Sequence, residues 1–193
     1  GLDGIMTIDM MARIRPDYKF IVNKLLSLIK TLDVNFIPVV PTGNKKHGIK
    51  AASIRGIREA IGHLGAGHPL GFFPSGAVSD FSLRDMKVRD RPWQESILHL
   101  IHSVKVPVLP IRFFDMNSAF FYFLGLINWR VRLLRLPSEV FNKRGSQQRI
   151  GIGEIISVDE QSRFTDASSL GEYLRKKVYE MPMPEKFVHG NLI

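Results

Sequence analysis

The stretch His68-Pro-Leu-Gly-Phe-Phe-Pro-Ser-Gly-Ala-Val-Ser79 constrains the fold more than any other part of the chain. An apolar run opened by proline and closed by Pro-Ser-Gly reads as a buried strand that stops abruptly at a small-residue turn. Pro74 fixes φ, Gly76 permits φ > 0 and close approach of a ligand to the backbone, and the hydroxyls of Ser75 and Ser79 flank the bend. The same composition also makes ordinary strand-ending turns. Further short apolar runs at Tyr18 to Val22, Asn35 to Val40 and Val106 to Ile111 alternate with helical stripes at Asn23 to Leu32, residues 48–64, Trp93 to Ile101 and Ser168 to Met181. Strands apolar throughout are covered on both faces. The alternation therefore predicts an α/β fold, a single domain over residues 1–193, with a mostly parallel central sheet and helices on both faces.

Composition narrows the chemistry. The chain has 193 residues and no cysteine, which excludes disulfides, thiolate metal sites and a cysteine nucleophile. A net charge of +9 points to an anionic partner: nucleic acid, a phospholipid surface or a phosphorylated ligand. No apolar run reaches the length of a membrane-spanning helix. His99 and His102 share one helix but find no third ligand in the sequence, and zinc normally takes three or four protein ligands, so no metal is expected. Gly65 to Gly71 has the glycines of a dinucleotide loop but follows a helix and precedes a strand, the wrong order for that fingerprint.

The turn and the proline-bracketed strand Val106-Pro-Val-Leu-Pro-Ile111 together resemble the third and fourth sequence blocks of the PlsC-type glycerolipid acyltransferases. The family's third block reads Phe-Pro-Glu-Gly-Thr-Arg-Ser. Phe73, Pro74, Gly76 and Ser79 match it, Ser75 takes the acidic position, and Ala77-Val78 replaces Thr-Arg. In this form the block resembles the bacterial branch named for haemolysins, some of whose members acylate lyso-aminolipids, more than the lysophosphatidate enzymes. The family's first block is His-x4-Asp, and Gly1-Leu-Asp-Gly4 looks like its second half, which would make Asp3 the dyad aspartate and place its histidine upstream of Gly1, in a segment expected to precede this sequence. Read locally, Asp3 is equally a helix N-cap. None of the six histidines is followed five positions later by aspartate. At the second block Phe36-Ile37 matches, but Val39 stands where the family has an arginine associated with the acceptor phosphate. With that arginine and the one at Val78 both missing, either Lys45, Lys46, Arg55 and Arg58 supply positive charge, or the acceptor is not a lysophosphatidic acid; the second is the expectation.

The resemblance implies an O-acyltransferase with no bound cofactor. It would move a fatty acyl group from an acyl carrier protein or coenzyme A thioester to a hydroxyl of a lysolipid or lyso-aminolipid, with Asp3 supporting the base and Phe73, Pro74, Ser75, Gly76 and Ser79 forming the substrate-binding turn. Asp80 to Arg91 reads as a charged exposed loop. Phe113 to Trp129 is strongly aromatic, uncharged from Met116 onward and followed by Arg130, Arg132 and Arg135, so it suits either an internal helix or an anionic membrane surface. The implied location is cytoplasmic, peripheral on the inner face of the cell membrane. Two other readings stay open: an inert lipid-binding relative, or a basic nucleic-acid module. No recognition-helix, RRM or zinc pattern appears, so nucleic acid is not the expected partner.

Overall fold

A computed structural model describes residues 2–23, 34–39, 51–143 and 145–188. The helical stripe at Leu25 to Leu32, the turn Pro41 to Asn44 and the candidate cations Lys45 and Lys46 lie outside the described residues. The core of the fold is a parallel sheet of three strands, β1 (Lys19–Asn23), β2 (Phe36–Val39) and β3 (Leu70–Gly71), in the order β2-β1-β3. Phe20 pairs with Phe36 on one side of the central strand and with Gly71 on the other. Helix α1 (Leu2–Ile14) leads into β1, and α2 (Ala51–Gly65) makes the crossover from β2 to β3. The architecture is thus α/β with a parallel sheet, as the alternation of apolar runs implies. Its described sheet is small, and two further pairs of strands stand beside it.

The first pair is a hairpin, β4 (Asp80–Ser82) against β5 (Lys87–Arg89), built from the charge-rich segment expected to be a loop. Arg91 Nε donates to Asp80 Oδ2 at 2.7 Å and closes its open end, while Met86 takes a left-handed conformation at the tip (φ 52°). Next come α3 (Glu95–Val104), β6 (Ile111–Phe113), the consecutive helices α4 (Ala119–Ile127), α5 (Trp129–Leu134) and α6 (Leu136–Asn142), then β7 (Ile150–Ile152), the short α7 (Val158–Gln161) and α8 (Ala167–Tyr179). β6 and β7 pair antiparallel, and Val108 bridges to Ile156 beside them.

Burial explains the assembly. Ile8 of α1 packs with Tyr18, Phe20, Val22 and Phe36 on one sheet face. On the other, Ile37 and Ala60 meet Leu100 of α3, whose Ile97 and Ile101 continue into Leu170 and Leu174 of α8. Two apolar faces turn away from the core. Ile54 and Ile61, on the apolar stripe of α2, are about half exposed, and the helix also buries Gly56 and Ala60. A methyl group on Gly56 would stand 2.5 Å from the Pro38 carbonyl oxygen, so the smallest residues set the approach of helix to sheet. In β7, Ile152 faces solvent while Gly151 is buried, because Phe114 and Met181 occupy the space a side chain there would need.

Candidate active site

Parallel connections decide where chemistry can be placed. α1 ends where β1 begins, so its first turn, with Asp3, lies at the carboxyl ends of the strands. β3 ends at Gly71 and runs directly into Phe72 to Ser79 at that same edge. In the order β2-β1-β3 the chain leaves β1 in one direction and β3 lies on the other side. Ligands of open α/β sheets bind in the crevice outside the carboxyl ends at such a reversal.

The two halves of the candidate site touch there. The ring of Phe73 lies edge-on to Phe20, with centroids 5.2 Å apart. A Cβ on Gly4 would sit 3.4 Å from Phe73 Cε2, which brings the start of α1 against the turn. Asp3 lies inside the first turn of the helix, where a carboxylate complements the dipole, and its backbone carbonyl accepts from Thr7 Oγ1 at 2.7 Å. Its carboxylate is near enough to Tyr122 of α4 to be felt. Burial pushes the Tyr122 phenol up, and the negative charges of Asp3 and Asp90 add to the rise.

The turn itself is held by its own backbone and by Gln94. Gly76 N–H donates to the Phe73 carbonyl at 2.9 Å, Gln94 N–H to Pro74 O at 2.9 Å, and Gln94 Nε2 to Ser75 O at 3.1 Å. Gly76 has φ 62°, which favours glycine, and a Cβ there would fall 1.9 Å from Gln94 Nε2, so a side chain would push the Gln94 amide off the Ser75 carbonyl. The two serines are occupied. Ser75, buried, donates to the Ala77 carbonyl at 3.0 Å, and Ser79 donates to Asp90 Oδ1. Their protons hold the bend, leaving lone pairs for a ligand. The N–H groups of Ala77 and Val78 have no acceptor among the described residues. Arg55 stands exposed in the second turn of α2, with no hydrogen bond or ion pair to this turn among the described residues.

A cation that the sequence offers only as one of the arginines after the aromatic segment, suited to a membrane surface, is instead buried and braces the site. Arg132 of α5 is buried, its side chain 4% exposed, and its Nη1 reaches the Ser79 carbonyl at 3.2 Å and Asp80 Oδ1 at 2.7 Å. Its guanidinium lies 5.4 Å from the Phe121 ring centroid, and its Nε has no hydrogen-bond partner. Burial would raise the Asp80 carboxyl, but bonds from Arg91 and Arg132 outweigh it and hold the group below the usual range. Asp90 is a second organiser: besides Ser79 it accepts from the Tyr179 hydroxyl of α8, and burial together with that bond pushes the Tyr179 phenol well up. The only sequence signal for Arg132 is its membership in the arginines after the aromatic segment. Tyr179 has none.

Among the described residues no three His, Cys, Asp or Glu side chains gather as metal ligands, and no helix is long and apolar enough to cross a membrane. The arrangement offers a carboxylate, a constrained turn with free N–H groups and lone pairs, and a buried guanidinium behind it. No solved structure matches the chain. A lyso-glycine lipid O-acyltransferase of Bacteroides thetaiotaomicron is 23% identical over 169 residues, covering 84% of this chain and 59% of that protein. The chain therefore spans less than two thirds of the curated relative it matches. A family described as acyltransferase matches residues 1–183, nearly the full length and every element of the site, and the chain belongs to that acyltransferase family.

Proposed function

We propose that the protein transfers a fatty acyl group from a thioester, on acyl carrier protein or coenzyme A, to a hydroxyl of a lyso-aminolipid at the cytoplasmic face of an anionic membrane. The observation that supports this most is the approach of the first turn of α1 to Phe73, whose Cε2 would lie 3.4 Å from a Cβ on Gly4, the residue after Asp3. A relative named for a lyso-glycine lipid, and the absence of arginine at Val39 and Val78, favour an aminolipid acceptor over a phosphate-bearing one.

In this reading a histidine five residues before Asp3 takes the proton of the acceptor hydroxyl as its oxygen attacks the thioester carbonyl. Asp3 holds the imidazole in one tautomer and stabilises the imidazolium. Free N–H groups of Ala77 and Val78 receive the negative charge that builds on the carbonyl oxygen. Collapse forms the ester C–O bond, breaks C–S, and the imidazolium returns its proton to the departing thiolate. No acyl-enzyme is needed. The test is transfer of radiolabelled palmitoyl from acyl carrier protein and from coenzyme A to lyso-glycine lipid by the full-length protein, native and Asp3→Ala. Loss of product in the variant supports the assignment, and equal rates reject it.

A further inference from the structure

Helix α4 carries no charge from Ala119 to Ile127, yet only its Phe121 and Tyr122 side is buried. Phe120, Phe123 and Ile127 repeat at helical spacing on the other side and are 50, 55 and 68% exposed. A helix apolar all round belongs in a core or in lipid, and this one has protein on one side only. Large apolar side chains are also exposed on the next two helices, Leu134 at the end of α5 by 81% and Phe141 on α6 by 72%.

The charge of this surface is one-sided. No aspartate or glutamate occurs from Met116 through Ser138. The first carboxylate, Glu139, is buried and turned inward, accepting from Ser118 N–H at 2.9 Å and Ser118 Oγ at 2.6 Å. Arg135 is exposed, with its guanidinium 5.1 Å from the Phe120 ring centroid, so a cation borders the aromatic face. Exposed aromatic and aliphatic side chains, edged by a cation with no ion pair among the described residues and carried on a segment without an exposed carboxylate, match an anionic lipid surface, where rings sit at headgroup depth and arginine meets phosphate.

We infer that the outer face of α4–α6 docks on an anionic bilayer; this rests on the lipid acyltransferase reading and names the surface through which that site meets its acceptor. The same helices turn their inner residues to the site. Arg132 holds Ser79 and Asp80, and Tyr122 lies in the field of Asp3. Docking therefore sets the Phe73 to Ser79 turn next to the leaflet that contains the lysolipid, and the acceptor need not leave the headgroup layer.

The test is co-sedimentation of the chain with vesicles of equal parts phosphatidylglycerol and phosphatidylcholine, and with phosphatidylcholine alone. The native chain is expected to pellet with the anionic vesicles and far less with the neutral ones. Phe123→Asp and Ile127→Asp should each lower partitioning about tenfold, and Arg135→Gln about fivefold. Ile14→Asp, at an exposed apolar residue on α1, should leave partitioning unchanged. All four positions are exposed, and a native thermal transition checks that each variant folds. Equal partitioning of the native chain and Phe123→Asp overturns the inference, as does a native dimer in solution that Phe123→Asp splits. Acyl transfer by the full-length protein separates the two readings: Phe123→Asp should keep its rate on acceptor dispersed in detergent and lose it on acceptor in vesicles. Phe123-dependent vesicle binding without any acyl transfer would keep the docking face and remove the catalytic reading.

Discussion

At the amino edge of the parallel sheet, Asp17 lies 2.6 Å from His68 Nδ1 and accepts two bonds from Arg15, at 2.9 and 2.7 Å. At the carboxyl edge, Asp3 lies beside the Phe73 turn, and its carboxylate has no hydrogen-bond partner among the described residues. Judged by distance alone, the first edge holds the better aspartate-histidine pair. The proposed mechanism nevertheless draws on the other edge. The Arg15 bond, with help from His68, holds the Asp17 carboxyl well below its usual range, and the half-buried group is occupied by three bonds from these two residues. A carboxylate already saturated by an arginine has little left to offer an imidazole that must gain a proton. The short aspartate-histidine distance marks an ion pair, whereas the Asp3 carboxylate near the constrained turn has no such partner among the described residues.

That contrast can be broken by kinetics first. Asp3→Asn in the full-length protein should lower the turnover rate by about three to four orders of magnitude, the scale set by losing the group that orients a general base. Asp17→Asn should change it by no more than about threefold, as expected of a residue outside the chemistry. A large loss at Asp17 in the radiolabelled assay would reverse the assignment of the two edges. Stability separates them next. Arg132→Met removes a buried cation from the Ser79 carbonyl and Asp80, and should lower the unfolding free energy by about 2 kcal/mol in urea titration. Arg15→Gln, at a solvated ion pair, should leave the urea midpoint unmoved. Glycines sharpen the comparison further. Gly67 at the amino edge has φ 81° with open space around it, so Gly67→Ala should cost about 1 kcal/mol from conformation alone. Gly76→Ala adds a collision with Gln94 and should cost about 2 to 3 kcal/mol by the same titration.

The smallest effect is in acid. The Asp80 carboxyl is held below its unfolded value, so its stabilisation is complete above about pH 4 and is lost as pH falls through the lower folded value. Urea midpoints measured downward from neutral pH should fall in that window, and Asp80→Asn should flatten the decline. Asp17→Asn should flatten it less at moderate salt, since its partners are exposed and screened.

The parts legible in the sequence are those written in local chemistry. The run from His68 to Gly76 spells a strand and a positive-φ turn, though the strand is only Leu70–Gly71 and is half-buried rather than buried, with Phe73 exposed; the apolar runs at β1 and β2 spell parallel strands. Helical spacing located α2 but not all of its buried face, because Ile54 and Ile61 lie on the apolar stripe yet are about half exposed, while Gly56 and Ala60 permit the close approach to Pro38. A period reports which residues are apolar; it does not report where a neighbour's backbone needs room. The hairpin β4–β5 was hidden by its charges, which pair across its open end through Asp80 and Arg91. Arg132 was illegible for a plainer reason: it meets Ser79 across 53 positions, and a buried arginine has the same letter as a solvated one.

The Asp90 carboxylate has a consequence for where the protein can be cut. One oxygen secures Ser79 in the turn and the other receives the hydroxyl of Tyr179, 89 positions later at the last helical residue of α8. The end of α8 is thereby latched to the edge that carries the Phe73 to Ser79 turn. Trimming α8 to obtain a smaller domain would free one oxygen of Asp90 and loosen the bend it supports, so the shortest chain able to keep this edge intact extends through Tyr179.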